Sequence, residues 1–313
     1  MDIMIEKVIM FAIIIGISFI ATKLKWFSDN VRDGLSRVII KVTAPLLIFT
    51  SIAGLSTDKT LFTEAVTIAL ISFVVISSLI GLGKLYANNS SLDEKTTGVQ
   101  VALMTFGNVV FIAFPIFQAL YGAKGIFYAA FYHLINDLFL WTIGVKLIDY
   151  KSNLSKKQII LNVINNNTIA IFLGLICLVF KVQFPPIIYN PIVGLGQTTV
   201  YLSLLFIGTT MAAVDVKQTY KKLSIFIVVL VKMILVPIIV ALVLFKVFSF
   251  GLSTMAMSVI VLQVAMPAMT IVAIIANELG VNYKYAAETV FVTTLLSLLT
   301  LPAMLKIILI LGG

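Results

Sequence analysis

Residues 106–117 read FGNVVFIAFPIF and residues 261–272 read VLQVAMPAMTIV. Each is an apolar run interrupted by one side-chain amide, Asn108 or Gln263, and by one proline, Pro115 or Pro267. A proline has no N–H for the carbonyl four residues earlier, so the spacing predicts a freed Phe111 oxygen in the first run and a freed Gln263 oxygen in the second. A lipid-exposed break would leave such groups unsatisfied, so the break belongs inside protein or against a water-filled cavity. A kink in each helix is the plainer alternative, but the two interruptions are alike in kind.

Around these runs the chain is as apolar as they are. Of its 313 residues 61% are hydrophobic and 11% charged, which excludes an ordinary soluble domain. Apolar runs between polar breaks predict ten transmembrane helices, near 5–22, 34–54, 61–86, 97–121, 124–148, 159–180, 191–213, 222–248, 254–278 and 284–311. The two interrupted runs are the fourth and the ninth. The first run follows Asp2 and Glu6 and lacks a small-residue cleavage pattern, so it reads as a retained span. One cysteine, Cys177, and one histidine, His133, exclude a disulfide framework and a multi-histidine metal centre.

The 22 basic residues against 13 acidic ones are read first for topology, not for nucleic acid. One side of the expected membrane collects Lys23, Lys25, Arg32, Arg37, Lys84, Lys95, Lys146, Lys151, Lys156, Lys157, Lys217, Lys221, Lys222 and Lys284. The other holds Lys7, Lys59, Lys124, Lys181, Lys246 and Lys306. The richer side is expected to be cytoplasmic, with both termini extracytoplasmic, as in a multi-pass plasma membrane protein. A polar link over 151–158 divides the chain into residues 1–150 and 159–313, five spans each. An odd number of spans makes the second half enter from the opposite side, so a repeat would be inverted. At an offset of 158, Leu46-Leu47 falls on Leu204-Leu205, Lys59 on Lys217, and Gly122 on Gly280. Inverted repeats place binding sites near the midplane.

Helix N-termini exposed at such breaks would present amides and partial positive charge, an anion site needing no basic side chain. On the fifth span His133, Asn136 and Asp137 share a face by their i, i+3, i+4 spacing. An intramembrane carboxylate is expensive without a partner, so Asp137 is expected to face the interior. Asn136 is the candidate for substrate contact, Asp137 for proton or cation handling, and His133 for a relay. A packing cluster is the alternative for all three. Lys232, midway along the eighth span, is a candidate partner for Asp137, while Asn277, Glu278 and Glu288 read as solvated ends.

In motif order the chain resembles the auxin efflux carrier family, the PIN-like transporters of plants and their bacterial relatives. The resemblance rests on Arg37 with Pro45-Leu46-Leu47 and Phe49, on Asn108 with Pro115 and Tyr121-Gly122, and on Val261-Leu262-Gln263 with Met266-Pro267. It implies two inverted five-helix repeats, crossed broken helices 4 and 9, scaffold and crossover subdomains drawn from both repeats, and an organic-anion substrate near the crossing. It further implies that Asn108 contacts substrate, that Asn136 and Asp137 form the polar pair of span five, and that Pro115 and Pro267 are the crossover prolines. Two positions depart from plant members: Val272 stands where they carry a second proline, and span three has Glu64 only at its edge.

The expected function is secondary transport of organic carboxylates, auxin-like or dicarboxylates such as malate, bound through Asn108, Asn136, Asp137, Gln263, Pro115 and Pro267. A cation/proton antiporter on the same plan, exchanging at Asp137, is the alternative. No cofactor or metal is expected, and the coupling ion, if one is used, would be H⁺ or Na⁺ handled by Asp137 or His133. The partners are the small anion and the lipid bilayer, with a homodimer left open and no nucleic acid. No H-E-x-x-H or nucleophile motif suggests an enzyme.

Overall fold

The computed structural model describes residues 2–56, 58–149, 154–213 and 223–312. Lys151, Lys217, Lys221 and Lys222, used in the charge count, and part of the 151–158 link lie outside the described residues. Among those described the chain is built of helices: α1 (Asp2–Lys23), α2 (Asp29–Ala53), α3 (Lys59–Asn88), α4 (Glu94–Thr105), α5 (Val109–Ile148), α6 (Lys156–Val163), α7 (Asn166–Val179), α8 (Pro186–Ala213), α9 (Leu223–Val247), α10 (Thr254–Val264), α11 (Thr270–Glu278) and α12 (Tyr283–Gly312). Six of them, α2, α3, α5, α8, α9 and α12, are each long and apolar enough to cross a membrane. The expected fourth and ninth spans are not single helices. Each is cut into an inner piece, α4 or α10, and a continuation. The sixth is a pair, α6 and α7, meeting at a bend.

The 40-residue α5 would be too long for one crossing, and Gly122 interrupts it with φ 59° and ψ −147°. Only glycine occupies that conformation at little cost. Gly280, between α11 and α12, also has positive φ, 68°. Regular helix gives way to wider π turns at Ile39–Thr43, Val109–Ala113, Leu140–Gly144, Val229–Leu235 and Val243–Val247. Such turns carry one extra residue and often accompany functional sites.

Two compact units make up the chain, each drawing on both halves of the sequence. The first comprises Met1–Val66, Val110–Phe131 and Ile164–Ala213, and the second Thr67–Val109, Tyr132–Val163 and Val214–Gly313. In the first, α1 packs on α8 and α2 packs on α7 and α8. Gly208 lets α8 come so close to α1 that a Cβ there would stand 2.3 Å from the Ile15 carbonyl oxygen. Small residues at such contacts let helix backbones approach where no hydrophobic driving force separates protein from lipid. Glu64, expected at an edge, is 3% exposed, and the Tyr128 hydroxyl donates to its carboxylate. Burial of a carboxylate near the start of a span requires such a partner.

In the second unit α4 lies against the end of α5 and against α12, which also packs on α10 and α11. Gln100 ties this unit together. It donates to the Ser224 carbonyl at 3.2 Å and accepts from the Tyr285 hydroxyl. Outward faces remain apolar, with Leu70, Phe73 and Val74 of α3 and Leu295 and Leu299 of α12 exposed, as a lipid-facing surface requires.

Candidate functional site

The site grows from two short non-helical stretches within the second unit. α4 ends at Thr105 and α10 at Val264, and the chain runs non-helically through Phe106–Asn108 and through 265–269 before helix resumes. The two stretches pair antiparallel at Gly107 and Ala268. Asn108 N–H donates to the Pro267 carbonyl at 2.9 Å, and Met269 N–H to the Phe106 carbonyl at 3.1 Å. Each break thus satisfies the other's main chain, the requirement for non-helical backbone away from water.

Side chains complete the frame. Ala268 N–H donates to Thr293 Oγ1 at 3.2 Å, while Thr293 returns its own proton to the Thr289 carbonyl at 2.7 Å. Asn108 Nδ2 donates to Thr270 Oγ1 at 3.2 Å, joining the first break to the residue that opens α11. Gly107 sits in a close space: a Cβ there would meet Met266 Cβ at 3.2 Å, a tight contact, and stand 3.6 Å from Lys232 Nζ.

Lys232 is the residue whose role the sequence left open. It sits in the π turn Val229–Leu235 of α9, is 1% exposed, and donates from Nζ to the Thr105 carbonyl at 2.9 Å. Its amino group therefore lies at the C-terminus of α4, where the helix dipole is negative. Asp137 pairs instead with His133, Nδ1 to Oδ1 at 3.4 Å, one turn apart on α5 and nearly fully buried. A polar residue in mid-span was visible in the sequence, but its facing was not, because the Thr105 carbonyl that it meets lies on another helix.

Asn136 lies on the same face, 0% exposed, with Nδ2 3.9 Å from Met269 Sδ and no hydrogen-bond partner for Oδ1. An amide with one end unmet in a dry interior is costly unless something else binds there. Asn108 and Gln263 are likewise buried, at 3% and 0%. The second unit therefore holds Asn108, His133, Asn136, Asp137, Gln263 and Pro267, together with Lys232, Thr270 and Thr293. Pro115 belongs to the first.

Two expectations about the prolines change. The Gln263 carbonyl is not freed by Pro267: the chain turns there, and Met266 N–H donates to it at 3.3 Å. The first interruption falls at Gly107 and Asn108, not at Pro115, which is the second residue of the regular helix resumed at Phe114. The π turn just before it makes room for the proline ring that a tighter turn would crowd. Glu288, expected at a solvated end, is 2% exposed, since it shares the inward face of α12 with Tyr285 and Thr289.

Helix termini also meet at the paired breaks. The first turn of α11 and the turn opening at Val109 begin at the paired breaks, and opening amides have no partner within their own helix. The two helices that end there are α4 and α10, and the first of these is met by Lys232. Helix starts and helix ends thus meet at one place, with several of the amides there already bonded across or within the breaks.

A family described as membrane transport protein matches the chain over residues 3–158 and 151–305. The chain is also similar to a protein of Methanothermobacter thermautotrophicus (strain Delta H) named as an uncharacterized transporter. The two are 25% identical over 299 residues, covering 95% of this chain and 96% of that protein.

Proposed function

Because the chain belongs to the membrane transport protein family, matched across nearly its whole length, we propose that it is a secondary transporter of small organic carboxylates, with its site at the paired breaks. The observation carrying this reading is the pairing at Gly107 and Ala268, which brings two helix starts, Asn108 and Thr270 to one buried place. Asn108, Asn136 and Gln263 supply amides that hydrogen-bond a carboxylate, and the opening amides of α11 supply charge complementarity without a basic side chain. The plan is ten crossings in two inverted five-helix repeats, with the broken fourth and ninth crossing at the site. The positive φ shared by Gly122 and Gly280, 158 residues apart, supports it. Inverted repeats with interrupted helices hold substrate at the midplane and expose it alternately to each side.

Export of a monoanion needs no coupling ion, since an inside-negative potential supplies about 2.3 kcal/mol per charge at 100 mV. Uptake would need one. The buried His133–Asp137 pair favours a proton, and it also supports a second reading, proton exchange against a cation with no organic substrate.

The test is solid-supported-membrane electrophysiology on proteoliposomes, with concentration jumps of malate, malonate and indole-3-acetate, with and without Na⁺. A current lost in Asn108→Ala, with the protein still folded, is the expected result. The absence of any organic-anion movement, measured also by radiolabel uptake, together with proton flux driven by Na⁺ alone, would overturn it in favour of the exchanger.

A further inference from the structure

At the far end of α4 from the breaks, the second unit carries a cavity of about 640 Å³ that the transport reading does not use. Lys84 near the end of α3, Lys95 in the first turn of α4 and Lys146 near the end of α5 all line it. Three separate helices thus each contribute a lysine to the lining of one hollow. All three lysines are exposed, and none of them makes an ion pair among the described residues. Glu94 and Asp149 also line the cavity, leaving one net positive charge.

The rest of the lining is mostly apolar, with Leu92, Val101, Leu147, Leu279 and Val281, and includes the polar Asn88 and Thr97. Its floor is tight: a Cβ on Gly98 would stand 1.9 Å from the Leu147 carbonyl oxygen, so α4 and α5 are in backbone contact beneath it. Lys84 and Lys146 stand at the ends of long apolar helices and Lys95 at the start of α4, and all three belong to the side expected from the basic residues to be cytoplasmic, where headgroups of the inner leaflet would lie.

We propose that this cavity binds the headgroup of an anionic phospholipid, its phosphodiester held by Lys84, Lys95 and Lys146 and its glycerol portion against the apolar wall. One net positive charge matches the single negative charge of a phosphodiester. Basic pockets between helices on the cytoplasmic side take lipid phosphates in this way. An inorganic phosphate would satisfy the lysines but leave the apolar wall uncovered, which selects the lipid as the source. From Gly98 to Asn108 is ten residues of chain, about 15 Å if helical throughout, so the lipid would grip the same helix whose other end forms the substrate site.

Native mass spectrometry of the detergent-solubilised full chain, titrated with dioctanoyl phosphatidylglycerol, tests the proposal without reference to any transported substrate. One saturable lipid per chain is expected. The combined Lys84→Ala, Lys95→Ala, Lys146→Ala variant should bind about tenfold more weakly or worse. The same three positions changed to Arg should retain binding. A control with Lys23→Ala, Lys25→Ala and Lys41→Ala, which removes as many charges from the first unit, should behave as wild type. Equal loss in the control, equal binding of dioctanoyl phosphatidylcholine, or displacement of the lipid by millimolar inorganic phosphate would each overturn it. The first would mean diffuse attraction, the second a site indifferent to charge, and the third a free-phosphate site.

Discussion

Asn136 and Lys232 are both buried polar residues, and the hydrogen bonds they make set opposite expectations for their removal. Lys232 gives a bond to the Thr105 carbonyl and covers the negative end of α4. Lys232→Met should therefore leave a buried acceptor unmet and cost about 1–3 kcal/mol, read as earlier unfolding in a thermal or denaturant scan. Unchanged stability would show that the bond is not made. Asn136 has an oxygen that meets no donor, so the fold gains little from it. Asn136→Ala should alter stability by less than about 1 kcal/mol while weakening substrate binding severalfold. A large loss of stability with unchanged binding would make Asn136 a packing residue. The sequence made these residues visible as polar atoms in apolar spans. It did not show which atom each would meet, because partners such as Thr105, on α4, and Met269, in the second break, lie far off in sequence.

At the scale of elements, glycines mark where helices or strands of backbone touch. Gly98→Ala would force a methyl to within 1.9 Å of the Leu147 carbonyl oxygen, and a rigid backbone atom cannot yield as a side chain can. It should destabilise the protein by about 1–3 kcal/mol or prevent its accumulation in the membrane. Gly107→Ala meets Met266 Cβ at 3.2 Å, a contact that a small shift relieves, so its effect should fall on transport rate more than on unfolding. Normal transport in Gly107→Ala would remove the pairing of the breaks from the mechanism. Sequence reading found the two interrupted spans because proline and side-chain amides are conspicuous among apolar residues. It misplaced the first interruption by taking Pro115 as the marker. Gly107 and Asn108 carry the break, and a proline two residues into a resumed helix is well tolerated.

On the scale of the whole molecule, the apolar composition and the spacing of polar breaks made the membrane-spanning character legible, and the motif order pointed to the transporter family. The two units were less legible, since each is assembled from segments far apart in sequence and no local pattern marks which helices pack together. The orientation expected from the distribution of Lys and Arg can be tested on the chain itself because Cys177 is its one cysteine. In a Cys177→Ala background, Ser155→Cys should react with a membrane-impermeant maleimide in inside-out vesicles and not in intact cells. Labelling in intact cells would reverse the topology.

The hydrogen bonds that join Asn108 to Pro267 and Met269 to Phe106 run between main-chain atoms. Such bonds are indifferent to side-chain identity, and at either donor position proline is the one replacement that abolishes them outright. Under the proposed function the mechanical joint and the chemical selector are therefore separable parts: the amides and hydroxyls around the joint could change while the joint persists. A scaffold of this kind is evolvable in its cargo, and exchanging Asn108, Asn136 or Thr270 should retune what is carried without rebuilding the machine that carries it.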